Sequence, residues 1–227
     1  MDKVRTVSDS KRDFYSYHTR PINSVYRRVV EELLVEMHLL SINVDFRYDP
    51  IYALGVFTSF ERFMEGYRPE QDRESIFDGL CRALHGSAEQ YRSDAGAVLI
   101  GAKETSIEDI ISRLKDGGDD SGSKLIQSLK AVKNNPKFKY SRLFVIGLYT
   151  LLAESKPSIL KDKDDREATV KQICEALNLL ADKVGKDLDI YRGNLDKMQQ
   201  LLKVLEDVLE ADKKKRLQKE QEKQAAG

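Results

Sequence analysis

Three histidines are the first residues of this sequence that could bind a metal ion or carry a proton, and they lie far apart. A helix bundle that holds two iron ions uses Glu-x-x-His pairs. Position 35, three before His38, is Val35, and position 82, three before His85, is Arg82. The sequence therefore predicts no metal site, and we interpret His18, His38 and His85 as surface or helix-end residues.

Residues 117 to 124, GGDDSGSK, resemble a phosphate-binding loop in composition only. The final pair is Ser-Lys instead of Lys-Ser, and two carboxylates stand where phosphates would lie. No serine or cysteine has a local nucleophile signature. We assign no catalytic, metal-binding or cofactor-binding residue and predict that the protein is not an enzyme. A hidden active site would need titratable groups that only the fold brings together.

The charge balance and the apolar pattern of the sequence exclude some classes of binding partner. Lys plus Arg and Asp plus Glu number 38 each, so no overall field attracts nucleic acid. The most apolar run, 143–153, is shorter than the roughly 20 residues that cross a bilayer. Met1 to Asp13 is polar and predicts neither a secretory signal nor a transit peptide. Membrane association is expected to be peripheral or through a partner.

The two cysteines, Cys81 and Cys174, lie within apolar helical patterns. This position favours buried thiols in a reducing compartment, although a disulfide stays open because sequence cannot show the distance between them. The basic cluster Lys213 to Arg216 could contact anionic lipid or an acidic partner. Nearby glutamates favour a solvated helix end.

Aromatic and arginine side chains occur together in FYSYHTRP (14–21), in NVDFRYDPIY (43–52) and near residues 62–68. Such side chains are frequent in protein interfaces because they bury a large area at a small entropic cost. The alternative is that the aromatics seal the ends of a helix bundle. The candidate partner-binding residues are Tyr15, Tyr17, Arg20, Arg47, Tyr48, Arg62, Tyr67 and Arg68.

The elements that must position these residues are helices. Apolar residues spaced three and four apart predict a helix of about 20 residues from Ile22, with Pro21 in its first turn and a shorter helix over Ser8–Tyr17 before it. Asp49 followed by Pro50 predicts the start of a helix that ends near Gly66.

Further helices follow along the chain. One runs from Pro69 to Gly86, and Ser87 with Gln90 and Thr105 with Glu108 predict two capping boxes. Residues 116–123 predict a flexible loop. Helical patterns return at 125–132 and 140–154.

The C-terminal third has apolar residues at alternating spacings of four and three from Val170 to Leu209, a heptad pattern typical of a helix packed along another helix. Gly185 indicates a turn at Val184–Asp187. We predict an all-α fold, a multi-helix bundle with a long C-terminal heptad-patterned helix. The predicted division is 1–184 for the bundle and 187–227 for the C-terminal helix with its charged tail.

The segments RTVSDSKRDFYSYHTRPINSVYRRVVEELLVEMHLL, DFRYDPIYALGVFTSFERFMEGYRP and FKYSRLFVIGLYTLL resemble the thylakoid formation protein family, and the similarity extends over nearly the whole chain. The resemblance implies a non-enzymatic factor for thylakoid organisation and for photosystem II biogenesis and repair. It also implies FtsH-type membrane proteases as partners, a cyanobacterial source, and a peripheral position on the cytoplasmic side of the thylakoid membrane.

The resulting expectation is an adaptor that binds the FtsH-type protease complex and photosystem II subunits and needs no cofactor. The alternative is a small-molecule or pigment-binding helical protein whose aromatic residues line an internal pocket. The pattern leaves open which subunit is contacted. It also leaves open whether the heptad seam closes within one chain or between two.

Overall fold

The computed structural model describes residues 5–115 and 123–225, and within these ranges it consists of α-helices and one 3₁₀ turn, with no β-strand. The all-α prediction is confirmed. The predicted loop at 116–123 lies, apart from Ser123, outside the described residues. The helices are α1 Val7–Tyr17, α2 Ser24–Ser41, α3 Pro50–Phe63, α4 Asp72–Ala83, α5 Ala88–Glu104, α6 Ile107–Lys115, α7 Lys124–Lys133, α8 Arg142–Ser155, α9 Lys163–Ala176 and α10 Ala181–Ala225, with the 3₁₀ turn at Pro157–Leu160.

Helix starts follow the side chains that can accept hydrogen bonds from free backbone amides. The Asp49 carboxylate accepts from the amides of Ile51 and Tyr52 at 2.9 and 2.8 Å, so the predicted start of α3 is confirmed. Pro21 precedes α2 and is not in its first turn, which corrects the prediction. Asn23 caps α2, because its side chain accepts from the amide of Val25 at 3.1 Å.

The start of α6 also differs by one residue from the prediction. Ser106, and not Thr105, accepts from the amide of Asp109 at 3.1 Å, and the helix begins at Ile107. The carbonyl of Thr105 accepts instead from the hydroxyl of Ser155 in α8. The sequence favoured Thr105 as the N-cap because Glu108 follows three residues later. The tertiary contact with Ser155 leaves Ser106 as the N-cap instead.

Two glycines allow α3 and α8 to pack backbone against backbone at the centre of the core. A Cβ atom on Gly55 would lie 1.7 Å from the Leu143 carbonyl oxygen, and one on Gly147 would lie 1.9 Å from the Ile51 carbonyl oxygen. Neighbouring apolar side chains, among them Leu54 and Leu148, are almost completely buried. No other residue fits at either position, so this crossing sets the spacing of the core helices.

The C-terminal break lies earlier than predicted. The helix α9 ends before Asn178, which has a φ of 58°, and the amide of Leu179 donates to the Cys174 carbonyl at 2.8 Å. Asn adopts this left-handed conformation more readily than most residues, and the bonding pattern is that of a Schellman motif. Residues 184–187 are helical, so the turn predicted at Val184–Asp187 is wrong. A single glycine in a helix costs only about 1 kcal/mol, too little to end it.

The chain divides into two compact units, Met1–Asp189 and Ile190–Gly227. The boundary falls within α10 and a few residues after the one predicted from the glycine. The larger unit contains the core described above, and the smaller consists of the remainder of α10. Among the described residues, no helix is both long and apolar enough to cross a membrane.

Candidate protein-interaction surface

Two of the histidines lie at helix ends, which agrees with one of the two predicted positions, but they are buried in the core and not at the surface: His18 is the C-cap of α1 and His38 is in the last turn of α2. His18 and His38 are 2% and 1% exposed. The Nδ1 atom of His18 is 2.9 Å from the Ser75 hydroxyl, and that of His38 is 2.9 Å from the Ser10 hydroxyl. Burial lowers the pKa of both imidazoles, because a charged ring would lose its solvation. Both rings connect helices.

His85 does lie at a helix end, as predicted. It follows α4 with a φ of 63°, and the amide of Gly86 donates to the Cys81 carbonyl at 2.8 Å. Its Nε2 atom is 2.6 Å from the Arg5 guanidinium. The ring therefore links the N-terminal segment to the end of α4.

The thiols of Cys81 and Cys174 are buried and free, which confirms the buried-thiol prediction. Burial raises the pKa of Cys81 to about 12 and that of Cys174 to about 11, so both remain protonated. In the part of the chain that the structure describes, no group of three or more His, Cys, Asp or Glu side chains could hold a metal ion. The segment 117–122 of the phosphate-loop-like sequence lies outside that part.

The candidates at the end of α1 are surface side chains held in place by neighbouring helices. The Tyr15 hydroxyl donates to Glu31 of α2 at 2.8 Å. Tyr17 is 46% exposed, and the guanidinium carbon of Arg82 in α4 lies 4.5 Å from its ring centroid. Arg20 donates to Asp72 at the start of α4 at 2.5 Å.

The candidates after α3 separate into buried and exposed residues. Tyr67 is 2% exposed, with its ring 5.1 Å from that of Tyr26, and it is removed from the surface set because burial leaves no area for a partner. Arg62 is exposed and makes no hydrogen bond or ion pair with the described residues. Arg68 is also exposed, and it donates to Glu70 at 3.0 Å.

Arg47 and Tyr48 belong to the loop between α2 and α3. Arg47 donates to the carbonyls of Val44 and Phe46, each at 2.8 Å, while the Tyr48 hydroxyl donates to Asp94 of α5 at 2.8 Å. Burial and the Asp94 carboxylate raise the pKa of Tyr48 above its ordinary value. Exposed apolar side chains flank this loop, and Val44 is 83% exposed.

The aromatic residues next to this loop pack on one another. The ring centroid of Tyr91 lies 5.3 Å from that of Tyr48, 6.1 Å from that of Tyr52 and 6.4 Å from that of Phe77. Phe77 in turn contacts Phe60 at 4.9 Å. Edge-to-face packing at these distances fills the space between the helices and leaves no room for a pigment-sized ligand among these rings.

The structure therefore connects Tyr17 and Arg20 through α4 and places Tyr48 beside α5, while Arg47 donates to carbonyls of its own loop. The burial of Tyr67 and the partial burial of Tyr48 agree with the alternative interpretation, in which the aromatic residues seal the ends of the helix bundle. In the smaller unit, α10 carries an exposed apolar row at spacings of three and four: Leu201, Val204 and Val208 are 40%, 57% and 52% exposed. The side chains of Lys213 to Arg216 lie outside the description.

One surface feature was missed from the sequence. A groove of about 620 Å³ lies between the loop that joins α7 to α8 and the loop that joins α9 to α10. Its walls include Phe138, Leu179 and Leu180, with Lys133 and Lys183 also lining it. The sequence did contain one indication of it, because residues 121–153 include six basic residues and no Asp or Glu. That indication does not predict the α9–α10 loop as the other wall of the groove, because this loop is distant in sequence.

Comparison with known proteins identifies the relatives of this chain. A family model described as thylakoid formation protein matches residues 6–220. Protein Thf1 of Gloeothece citriformis is 59% identical over 220 residues, which cover 96% of this chain and 97% of that one. Protein Thf1 of Crocosphaera subtropica is 60% identical over 224 residues, covering 98% and 91%. A solved structure of Psb29 has a TM-score of 0.83 at 42% identity, covering 93% of this chain and 98% of that one.

Proposed function

This chain belongs to the thylakoid formation protein family, and on that basis we propose that it is a non-enzymatic adaptor or assembly factor in thylakoid membrane organisation and in photosystem II biogenesis and repair. Its partners in this proposal are an FtsH-type membrane protease complex and photosystem II subunits. The protein acts at the thylakoid membrane of a cyanobacterium, on the cytoplasmic side, as a peripheral protein.

The observation that carries the adaptor proposal is that aromatic and arginine side chains are held at the surface in defined positions. Arg82 fixes the ring of Tyr17, and Asp72 fixes the guanidinium of Arg20. Side chains that are already ordered lose less conformational entropy when a partner binds. A surface of this kind suits recognition of a folded protein, and Arg62 and Arg68, which are also exposed, supply further charged contacts in this proposal.

The long α10 extends the binding surface in this proposal. Its exposed row Leu201, Val204 and Val208 has the spacing of one face of a helix, and an apolar face gains stability when another helix covers it. The covering helix is part of a partner or of a second copy of the chain. This row lies beside the heptad seam read from the sequence, which contains Met198 and Leu202, and widens its apolar face, so that the two together are proposed to serve a helix–helix contact.

A pull-down tests the adaptor proposal. Tagged wild-type protein incubated with detergent-solubilised thylakoids is expected to retain FtsH-type protease and photosystem II subunits. The variant Tyr17→Ser/Arg62→Ala/Arg68→Ala is expected to retain at least tenfold less, with an unchanged unfolding temperature, because these side chains are exposed. A second variant, Leu201→Ser/Val204→Ser/Val208→Ser, tests the contribution of α10 in the same way.

The matched control is Lys103→Ala/Arg113→Ala, which removes two positive charges from α5 and α6. It is expected to retain wild-type amounts of both partners. Recovery of neither partner with the wild type contradicts the proposal. Equal losses in the control and the test variant would mean that net charge, and not this surface, governs retention.

A further inference from the structure

The positive charge of this neutral chain is unevenly distributed, and one group of lysines lies beside the groove between the α7–α8 and α9–α10 loops. Residues 121–153 contain Lys124, Lys130, Lys133, Lys137, Lys139 and Arg142 and no acidic residue. Lys124 and Arg142 are paired with Asp94 and Glu36. Two basic residues of the run are thereby neutralised, and neither contributes to the charge at the groove.

Among the described residues, no carboxylate forms an ion pair with the lysines at the groove. Lys133 donates to the backbone carbonyl of Leu114, and the Lys183 ammonium lies 4.0 Å from the ring centroid of Tyr140. Within the described ranges, Lys137 and Lys139, both exposed, make no ion pair. Lys186, one turn after Lys183, is exposed as well. Five positive charges therefore lie at or next to one groove.

Two acidic residues on the adjoining turns of α10 reduce this charge in part. Asp182 is exposed, and Asp187 accepts a hydrogen bond from the Tyr140 hydroxyl at 2.5 Å. The segments 133–140 and 177–187, which supply almost all of the lining, together carry five lysines and two aspartates, a net charge of +3 in a chain whose formal net charge is zero. The local field is thus opposite to that of an anionic surface.

Apolar side chains lie among these lysines. Leu180 is 75% exposed at the edge of the groove, and Pro136, Phe138 and Leu179 form its walls. Transfer of so exposed a leucine side chain from water into an apolar phase is favourable, because it removes apolar area from water. Exposed apolar side chains ringed by lysines are the combination with which peripheral proteins bind the boundary of a charged bilayer.

We propose that this basic groove binds the surface of an anionic lipid bilayer, with the lysines at the headgroups and Leu180 in the acyl boundary. The inference rests on the proposed function, since it names the surface by which the adaptor lies on its membrane. All five cations are lysines, and none is an arginine. Lysine is a point charge that suits loosely placed headgroups, whereas a defined acidic peptide is recognised best by the two-pronged guanidinium of arginine.

Vesicle flotation with the full-length protein tests this assignment. Vesicles of phosphatidylcholine with phosphatidylglycerol are expected to carry the wild type, and vesicles of phosphatidylcholine alone are not. Lys137→Gln/Lys139→Gln is expected to lower partitioning roughly 25-fold, because each lysine lost lowers it about fivefold. Leu180→Ser is expected to lower it as well, and high salt to abolish it.

The control Lys103→Gln/Lys163→Gln removes the same charge from two exposed lysines that pair with Glu154 and Glu167. It is expected to bind like the wild type. Failure of the wild type to float with anionic vesicles overturns the assignment, and so does an equal loss in the control pair. If the lysine variant instead loses protease in the detergent pull-down while vesicle binding is unchanged, the groove binds an acidic protein. If the wild type retains its protein partners in the pull-down but does not bind anionic vesicles, the membrane assignment of the groove is wrong and the adaptor proposal is unaffected.

Discussion

At the scale of single residues, the side chains that could do chemistry are used to hold helices together. His18 and His38 each bond to a serine on another helix, and the two thiols are protonated in the core. Asp49 combines a structural role with an unusual ionisation. Burial raises its pKa to about 6, although its two bonds from backbone amides act in the opposite direction.

Stability should therefore depend on the charge of Asp49. The folded protein binds this proton more tightly than the unfolded chain, so the penalty on the ionised form is largest above pH 6 and disappears as the pH falls towards 4. Asp49→Asn keeps the capping oxygen without the charge. We expect it to be more stable than the wild type by about 1 kcal/mol at pH 7.5 and equal to it near pH 4.

Urea unfolding at a series of pH values measures this difference. Asp49→Ala serves as the comparison, because it also lacks the charge but has no cap, and it should be less stable than Asp49→Asn by about 1 kcal/mol at every pH. A constant difference between wild type and Asp49→Asn over the whole range would contradict the ionisation argument.

At the scale of elements, the crossing of α3 and α8 determines how the other core helices pack. Both helices are apolar on nearly every side, which is the composition expected of a central helix. Gly55 and Gly147 bring their backbones into contact, and α5 packs against both helices. A clash at this crossing meets backbone atoms, which cannot rotate away as a side chain does.

Gly147→Ala is expected to lower the free energy of unfolding by about 3 kcal/mol or more, because the new methyl group would lie 1.9 Å from the Ile51 carbonyl oxygen unless the helices separate. Thermal unfolding followed by circular dichroism should show a fall of roughly 10 °C. The control is Gly96→Ala in α5, where a Cβ atom meets nothing within 4 Å. It should stabilise the protein by about 0.5 to 1 kcal/mol, and a similar fall in both variants would refute the packing argument.

At the scale of the whole molecule, charge and exposed apolar area are distributed in a way that composition conceals. The chain is neutral in sum, yet one groove collects lysines and one face of α10 exposes apolar side chains. Both surfaces are suited to partners. In the rival function, a small-molecule or pigment carrier whose ligand lies among the aromatic rings around Tyr91 would need space that this cluster does not leave.

An absorption spectrum checks that rival directly. Protein purified from its native host is expected to show the tyrosine band and no visible band, because the rings around Tyr91 contact one another at 5.3 to 6.4 Å. Extraction of the pure protein followed by mass spectrometry covers colourless ligands. A pigment or other small molecule at one equivalent per chain would favour the rival over the adaptor.

The sequence by itself determined the fold class and many of the helices, because apolar spacing and capping residues act over one or two turns. Asp49 with Pro50 is such a signal, and it marked the start of α3 correctly. The cap at Ser106, the break at Asn178 and the burial of His18, His38 and Tyr67 were decided by tertiary structure. Each depends on which distant residue lies opposite, as the Ser155 hydroxyl does at Thr105. The basic groove has the same origin, since its walls come from loops about 40 residues apart in sequence, and only packing brings their charges and apolar side chains together.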